Sequence, residues 1–311
     1  LFKIFLNLLN HKMVKELYFF NWAGKGDIHL SRGFCKHLLK ELQPQKSVYY
    51  HRFSSDSFTD ICPNAPISEI TPLVTSQYPS SPQHCPFFSD PQSSFYLNTW
   101  IGSVIGVGRY GEGCSHETTQ LAYKNFLKHI SHAPRDPQAL FVPQIGYEKC
   151  GVHLFDEGFL PQSKIKVLID NCEPLSGQSE SVDFSLVIPK LSSQFKNVNF
   201  FVLNKDPSIA PAKNIFFLED ISGPHANLNH FSYLSLFCDI IVGRTSGPYV
   251  HTLVTENVSN PHKTYICFCK NKIEASWIAP KDGQCQFIWN NYSDTHKIIT
   301  TIANEINKKL S

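Results

Sequence analysis

From Lys164 to the C-terminus, short apolar runs alternate with segments of helical spacing, and this alternation restricts the chain to an α/β fold. The β-prone runs are Lys164–Asp170 (KIKVLID), Val198–Leu203, Asn214–Glu219, Asp239–Val242 and Thr264–Cys269. Between them, Phe184, Ile188, Leu191 and Phe195 recur on one helical face, with Pro189 predicting a kink or an early stop. Helices follow over His230–Cys238 and Tyr249–Thr255, and a last one over Ser293–Lys309. Strands alternating with helices through short turns predict a doubly wound parallel sheet.

The first half starts the same way. Val14–Asn21 is β-prone, and the loop Ala23–Asp27 follows. Leu30, Phe34, Leu38 and Leu42 then repeat at helical spacing, and Ser47–Phe53 reads as a second strand. Residues 54–94 hold seven prolines and ten serines and are expected to be mostly loop, with short elements near Ile67–Val74. A helix over Glu117–His132 and a strand at Ala139–Val142 complete this half. The β-α pattern restarts at Lys164, so the sequence divides into domains at 13–160 and 161–311. Residues 1–12 precede the only methionine, Met13, and are read as an upstream translation artefact.

Composition narrows the partners. A net charge of +2, with no dense Lys/Arg block, gives no footprint for nucleic acid. No apolar run approaches the roughly 20 residues of a membrane span, so a cytoplasmic protein is expected, with peripheral contact at a membrane surface left open. The ten cysteines lack paired metal-ligand spacing and read as buried free thiols, including Cys267 and Cys269 on one strand face. No Gly-x-Ser-x-Gly elbow or His-Glu-x-x-His pair is present, which excludes the common hydrolase and zinc-protease arrangements. Gly106–Gly111 fits the dinucleotide pattern, but no acidic residue closes a strand about 20 residues later.

Ligands in open α/β sheets bind at the carboxyl ends of the strands, and two turns there carry the right chemistry. In Gly24-Lys25-Gly26-Asp27 the glycines permit close approach and Asp27 stands at a helix start, as a base or as a plain cap. In Gly243–Tyr249, Ser246 or Gly247 can cap a helix and Pro248 suits its first position. The free N–H groups of such a start, with Arg244, Thr245 and Ser246, suit a diphosphate. Glu219 and Asp220 end a strand on the crevice side and are candidates for a ribose or base. Trp100 and Arg109 are candidate acceptor contacts.

The block HFSYLSLFCDIIVGRTSGPYVHTLV resembles the nucleotide-sugar-binding segment of the heptosyltransferase-like glycosyltransferases, through Gly243, Ser246, Gly247 and Pro248. GKGDIHLSRGF resembles the family's Gly-Asp loop. Thr245 stands where that family has Asp, His251 lies one place beyond its usual His, and its basic residue after the first C-domain strand has no match in 170–183. The resemblance implies the GT-B architecture, two Rossmann-like domains facing a cleft. It implies an acceptor-side domain first and a nucleotide-sugar-binding domain second, with Asp27 as catalytic base. Donor contacts would come from Gly26, Arg244, Thr245, Ser246, Gly247, Pro248 and Tyr249. The implied activity is metal-independent, inverting transfer from a nucleoside-diphosphate sugar to a glycan or glycolipid hydroxyl, as in polysaccharide biosynthesis, with no cofactor. The alternative is a non-catalytic sugar- or glycan-binding module on that scaffold.

Overall fold

The computed structural model describes residues 14–53, 56–85, 87–91, 93–100, 115–135, 142–173, 182–270 and 283–311. The chain forms two compact units, Leu1–Gln144 and Ile145–Ser311. Each is a Rossmann-like α/β unit. The division falls ahead of residue 160 because the segment after 144 packs on the second unit. There Ile145, Tyr147, Cys150 and Val152 cluster with Tyr233 and Val254, and the Tyr233 hydroxyl donates to the Phe155 carbonyl at 2.8 Å.

In the first unit the strands are β1 (Glu16–Asn21), β2 (Lys46–His51), β3 (Asn64–Pro66), β4 (Phe87–Ser89) and β5 (Ser94–Asn98). They lie in the order β3-β2-β1-β5-β4, all parallel except β4. Period-two alternation splits β1 between two faces. Leu17 and Phe19 join Phe34, Cys35 and Leu38 of helix Arg32–Leu42 and Ala122, Tyr123 and Phe126 of helix Ser115–His129. Phe20 meets Ile70 and Val74 of helix Ile67–Gln77 on the other face. That helix was legible only as a short element, because its prolines and serines mask the four-residue spacing of the two buried residues. Pro72 sits inside it on an exposed face. Ala139–Phe141 lie outside the described residues, so the strand read there is not described.

The second unit is an all-parallel sheet of β6 (Ile165–Ile169), β7 (Val198–Val202), β8 (Ile215–Phe217), β9 (Ile240–Arg244), β10 (Thr264–Phe268) and β11 (Gln286–Asn290). The spatial order is β11-β10-β9-β6-β7-β8. Counted from its first strand, this is the 3-2-1-4-5-6 order of dinucleotide-binding folds, whose direction reverses between β6 and β9. One face is covered by helices Phe184–Gln194 and Thr295–Leu310, through Val187, Ile188, Leu191, Ile298, Ile302 and Ile306. Helix Phe184–Gln194 runs through Pro189 without stopping, capped by Asp183, whose carboxylate accepts the Ser185 N–H. On the other face, helix Leu228–Ser235 ends against a buried lysine. Lys263 Nζ donates to the carbonyls of Ser235, Leu236 and Cys238 at 2.7, 2.9 and 2.6 Å. Nine cysteines fall among the described residues, and all are free thiols.

Candidate functional site

The switch of strand order in the second unit brings the end of β6 beside the end of β9, where a crevice is expected. The turn after β9 lies there. Ser246, extended at φ −115°, ψ 162°, caps the helix Gly247–His251, with Pro248 in its first turn. The next strand end supplies Asp170. Its Oδ2 accepts the Ser246 hydroxyl and, at 3.1 Å, the Tyr249 N–H, while its Oδ1 accepts the Cys172 N–H at 3.0 Å. Burial pushes the Asp170 carboxyl up, against the opposing pull of the Ser246 hydroxyl and Arg244.

Gly243 makes this approach feasible. A Cβ there would meet the Tyr249 ring at 2.6 Å and the Asp170 Cβ at 3.1 Å. The glycine is therefore a requirement of close packing rather than of backbone conformation. Tyr249 is fully buried and packs edge-on against Tyr265, 5.8 Å between centroids.

The other expected donors are placed differently. Arg244 is buried, and its guanidinium donates to the carbonyls of Asn171, Cys172 and Val182, pairs with Glu173 at 3.5 Å, and lies over the Phe184 ring. It orders the loop after β6. Thr245 and Ser246 are buried, Gly247 and Pro248 half-buried. Of the first helical amides, Pro248 has none and Tyr249's goes to Asp170, so Gly247's is the one the helix leaves for another acceptor. His251 is buried and bonded through Nε2 to Asn229 at 2.8 Å, which ties two helices together. Glu219 does not end a strand. It lies in the first turn of helix Leu218–Ser222, paired with Lys205 at 2.9 Å, while Asp220 Oδ2 accepts the Phe217 N–H. The local reason is that β8 stops at Phe217, where this capping contact starts the helix.

In the first unit, the carboxyl ends of β1, β2 and β5 carry Asn21, His51 and Asn98. The Asn21 carbonyl oxygen accepts the Ala23 N–H at 2.7 Å, its amide donates to Thr99 at 3.0 Å, and Thr99 meets the Tyr49 hydroxyl at 2.6 Å. This buried network fixes the loop that leads to helix Lys25–Leu30. Gly24 caps that helix, Gly26 is its second residue and Asp27 its third. Asp27 is thus not the cap. It is half-buried, and burial raises its carboxyl to about 6 despite bonds from the backbone of Gly24 and Asp27 and the nearby Arg52 charge. His51 lies at the same edge. Its Nδ1 accepts the Phe53 N–H at 3.2 Å, which leaves the proton on Nε2, a buried atom with no hydrogen-bond partner. Burial and Lys25 hold it near 4, so the ring is neutral. Trp100 follows β5, half-buried, with its N–H on Asn98 and its ring 5.2 Å from His84. Arg109 and the Gly106–Gly111 pattern lie outside the described residues.

Asp170 and His51 are the residues that sequence reading passed over. The acidic end of KIKVLID was visible, but only the strand order shows that it faces the turn after β9. Among the described residues no group of three or more His, Cys, Asp or Glu side chains could hold a metal ion, and no helix is long and apolar enough to cross a membrane.

No family model and no curated protein matches the sequence. Solved structures do match the fold. The E. coli ADP-heptose LPS heptosyltransferase II aligns at TM-score 0.55 and 11% identity over 95% of this chain and 100% of its own. E. coli heptosyltransferase WaaC with ADP-2-deoxy-2-fluoro heptose aligns at TM-score 0.56 and 8% identity, covering 95% of this chain and 100% of that one. A glycosyl transferase family 9 protein from Veillonella parvula aligns at 0.52 and 11%, over 94% and 91%. At these identities the likeness is one of fold, and the fold is that of GT-B glycosyltransferases.

Proposed function

We propose that the protein is a metal-independent glycosyltransferase that moves a sugar from a nucleoside-diphosphate donor to a hydroxyl of a glycan or glycolipid. The observation that carries this reading is the turn Gly243–Tyr249 at the strand-order switch of the second unit, the place where this sheet topology binds nucleotides. The Gly247 N–H and the start of the helix face the donor's diphosphate there. Two of the aligned structures are described with ADP or ADP-heptose in their names, which fits a donor of that class.

Asp27 supplies the base. A carboxyl held near 6 is ionised at neutral pH yet basic enough to accept a proton in the transition state. As the acceptor oxygen attacks the anomeric carbon, its proton passes to Asp27. The bond to the nucleoside diphosphate breaks on the opposite side, so the configuration inverts. The leaving group's charge settles on the donors of the turn. Trp100, half-buried after β5, lines the acceptor side.

A second reading has its own observation. The Ser246 hydroxyl and Tyr249 N–H are engaged by Asp170, and Arg244 by backbone carbonyls, which leaves few donors to stabilise a leaving diphosphate. A sugar-nucleotide-binding module without turnover fits that economy. Release of nucleoside diphosphate from UDP-, GDP- and ADP-sugars, or of CMP from CMP-sugars, separates the two. The transferase releases it from at least one donor, faster with a glycan acceptor and hardly at all in Asp27→Asn. Saturable binding with no release from any donor would leave the module.

A further inference from the structure

The reaction above makes no use of Asp170, although its carboxyl is 1% exposed and lies at the centre of the nucleotide turn. Three donors converge on it: the Ser246 hydroxyl, the Tyr249 N–H and the Cys172 N–H. The charged and titratable groups that face it are Arg244 from the end of β9, Cys172 from its own loop, Tyr249 from the following helix and Cys267 from β10. Arg244 is the one cation among them, and its guanidinium is already held by Glu173 and the carbonyls of Asn171, Cys172 and Val182. The turn's own anion position is therefore filled from within the chain.

We infer that Asp170 is a positioning residue of this site, one that fixes the Ser246–Tyr249 turn and takes up a proton when a diphosphate settles on it. The inference rests on the nucleotide-sugar reading of the turn. Two anions served by one short turn repel, and in a buried setting water screens them little. A neutral carboxylic acid removes the repulsion. Protonated on Oδ2, the carboxyl can donate to the Ser246 oxygen while its carbonyl oxygen Oδ1 still accepts the Cys172 N–H, and the Tyr249 N–H keeps the Oδ2 hydroxyl oxygen and the Ser246 oxygen as acceptors. Burial already favours that protonated form. Binding then pulls one proton from solution, so affinity for the diphosphate rises on acidification, by about tenfold per pH unit while the free carboxyl is ionised.

Asp170→Asn keeps an acceptor oxygen and the size but carries no charge. The test is calorimetric titration of ADP, UDP and GDP into the wild type and Asp170→Asn between about pH 5.5 and 8.5, above the range in which an ordinary carboxyl takes up a proton. The nucleotide phosphate ionises identically in both experiments, so the ratio of the two affinities isolates Asp170. The wild type should weaken relative to the variant as pH rises, and at the alkaline end the variant should bind at least about tenfold tighter. A purely structural role would instead weaken the variant by the same factor at every pH. Should the variant fail to fold, the wild type carries a second readout. Its binding heats in buffers of different ionisation enthalpy should report uptake of about one proton beyond that of the free nucleotide. Parallel pH profiles, or no proton uptake, would overturn the role of Asp170 while leaving the nucleotide site intact. Absence of binding by any nucleotide at any pH would overturn the nucleotide reading itself, and this inference with it.

Discussion

Asp27 holds its proton to about 6 because the charged form is poorly solvated where the helix starts, and two backbone N–H groups and Arg52 offset only part of that penalty. As a base it works only when ionised. Transfer should therefore rise with pH through about 6 and level off above it, measured as initial rates of diphosphate release. Asp27→Asn should slow transfer by about 10²–10⁴ while leaving donor affinity nearly unchanged. The stability sign runs the other way. A carboxyl raised from 3.8 contributes fully to folding below that value and loses its contribution as pH climbs through about 6. The melting temperature of wild type relative to Asp27→Asn should accordingly fall over that interval. Gly243→Ala makes a steric test of the second site. Its Cβ would enter the Tyr249 ring, so a loss of about 1–3 kcal/mol in denaturant unfolding is expected, together with weaker nucleotide binding. The roles of Asp27 and Gly243 could be suspected from the sequence, because each sits in a glycine-containing turn after an apolar run. His51 and Asp170 could not, since the burial of a polar residue at a strand end depends on which strands become its neighbours.

Elements were legible where local signals agreed. β1, β2, β6, β7, β9 and β10 coincide with apolar runs in the sequence, and the terminal helix Thr295–Leu310 shows its stripe at Ile298, Ile302 and Ile306. The exceptions have physical causes. Prolines at 72 and 189 lie in helices whose buried residues, Ile70 and Val74 or Val187, Ile188 and Leu191, outweigh the one backbone bond each proline removes. β11 (Gln286–Asn290) has no clean alternation because its residues are only partly buried at the sheet edge. Helix Leu228–Ser235 depends on a distant residue for its end. Lys263→Met should leave three carbonyls without their donor and cost about 1–3 kcal/mol, read as a lower denaturant midpoint with unchanged slope.

At the scale of the whole molecule, two α/β units were foreseeable from the restart of β-α alternation. The segment 145–160, which the sequence placed in the first domain, belongs to the second unit, because Tyr147 and Phe155 attach it to Tyr233, a residue far away in sequence. Of the candidate site, the turn 243–249 and Asp27 stand at strand ends as expected, while Arg244 turned out to be occupied in ordering a loop. The reading as a nucleotide-sugar protein therefore stands on the turn. Titration of UDP-, GDP-, ADP- and CMP-sugars into the wild type and Gly247→Val, with the melting temperature of each recorded, tests it directly. A side chain at Gly247 would obstruct an anion at the one amide the helix leaves free. One donor should bind the wild type with single-site stoichiometry and fail to bind a Gly247→Val chain that melts as the wild type does. Equal affinity in the two proteins, or no binding of any nucleotide sugar by the wild type, would contradict it.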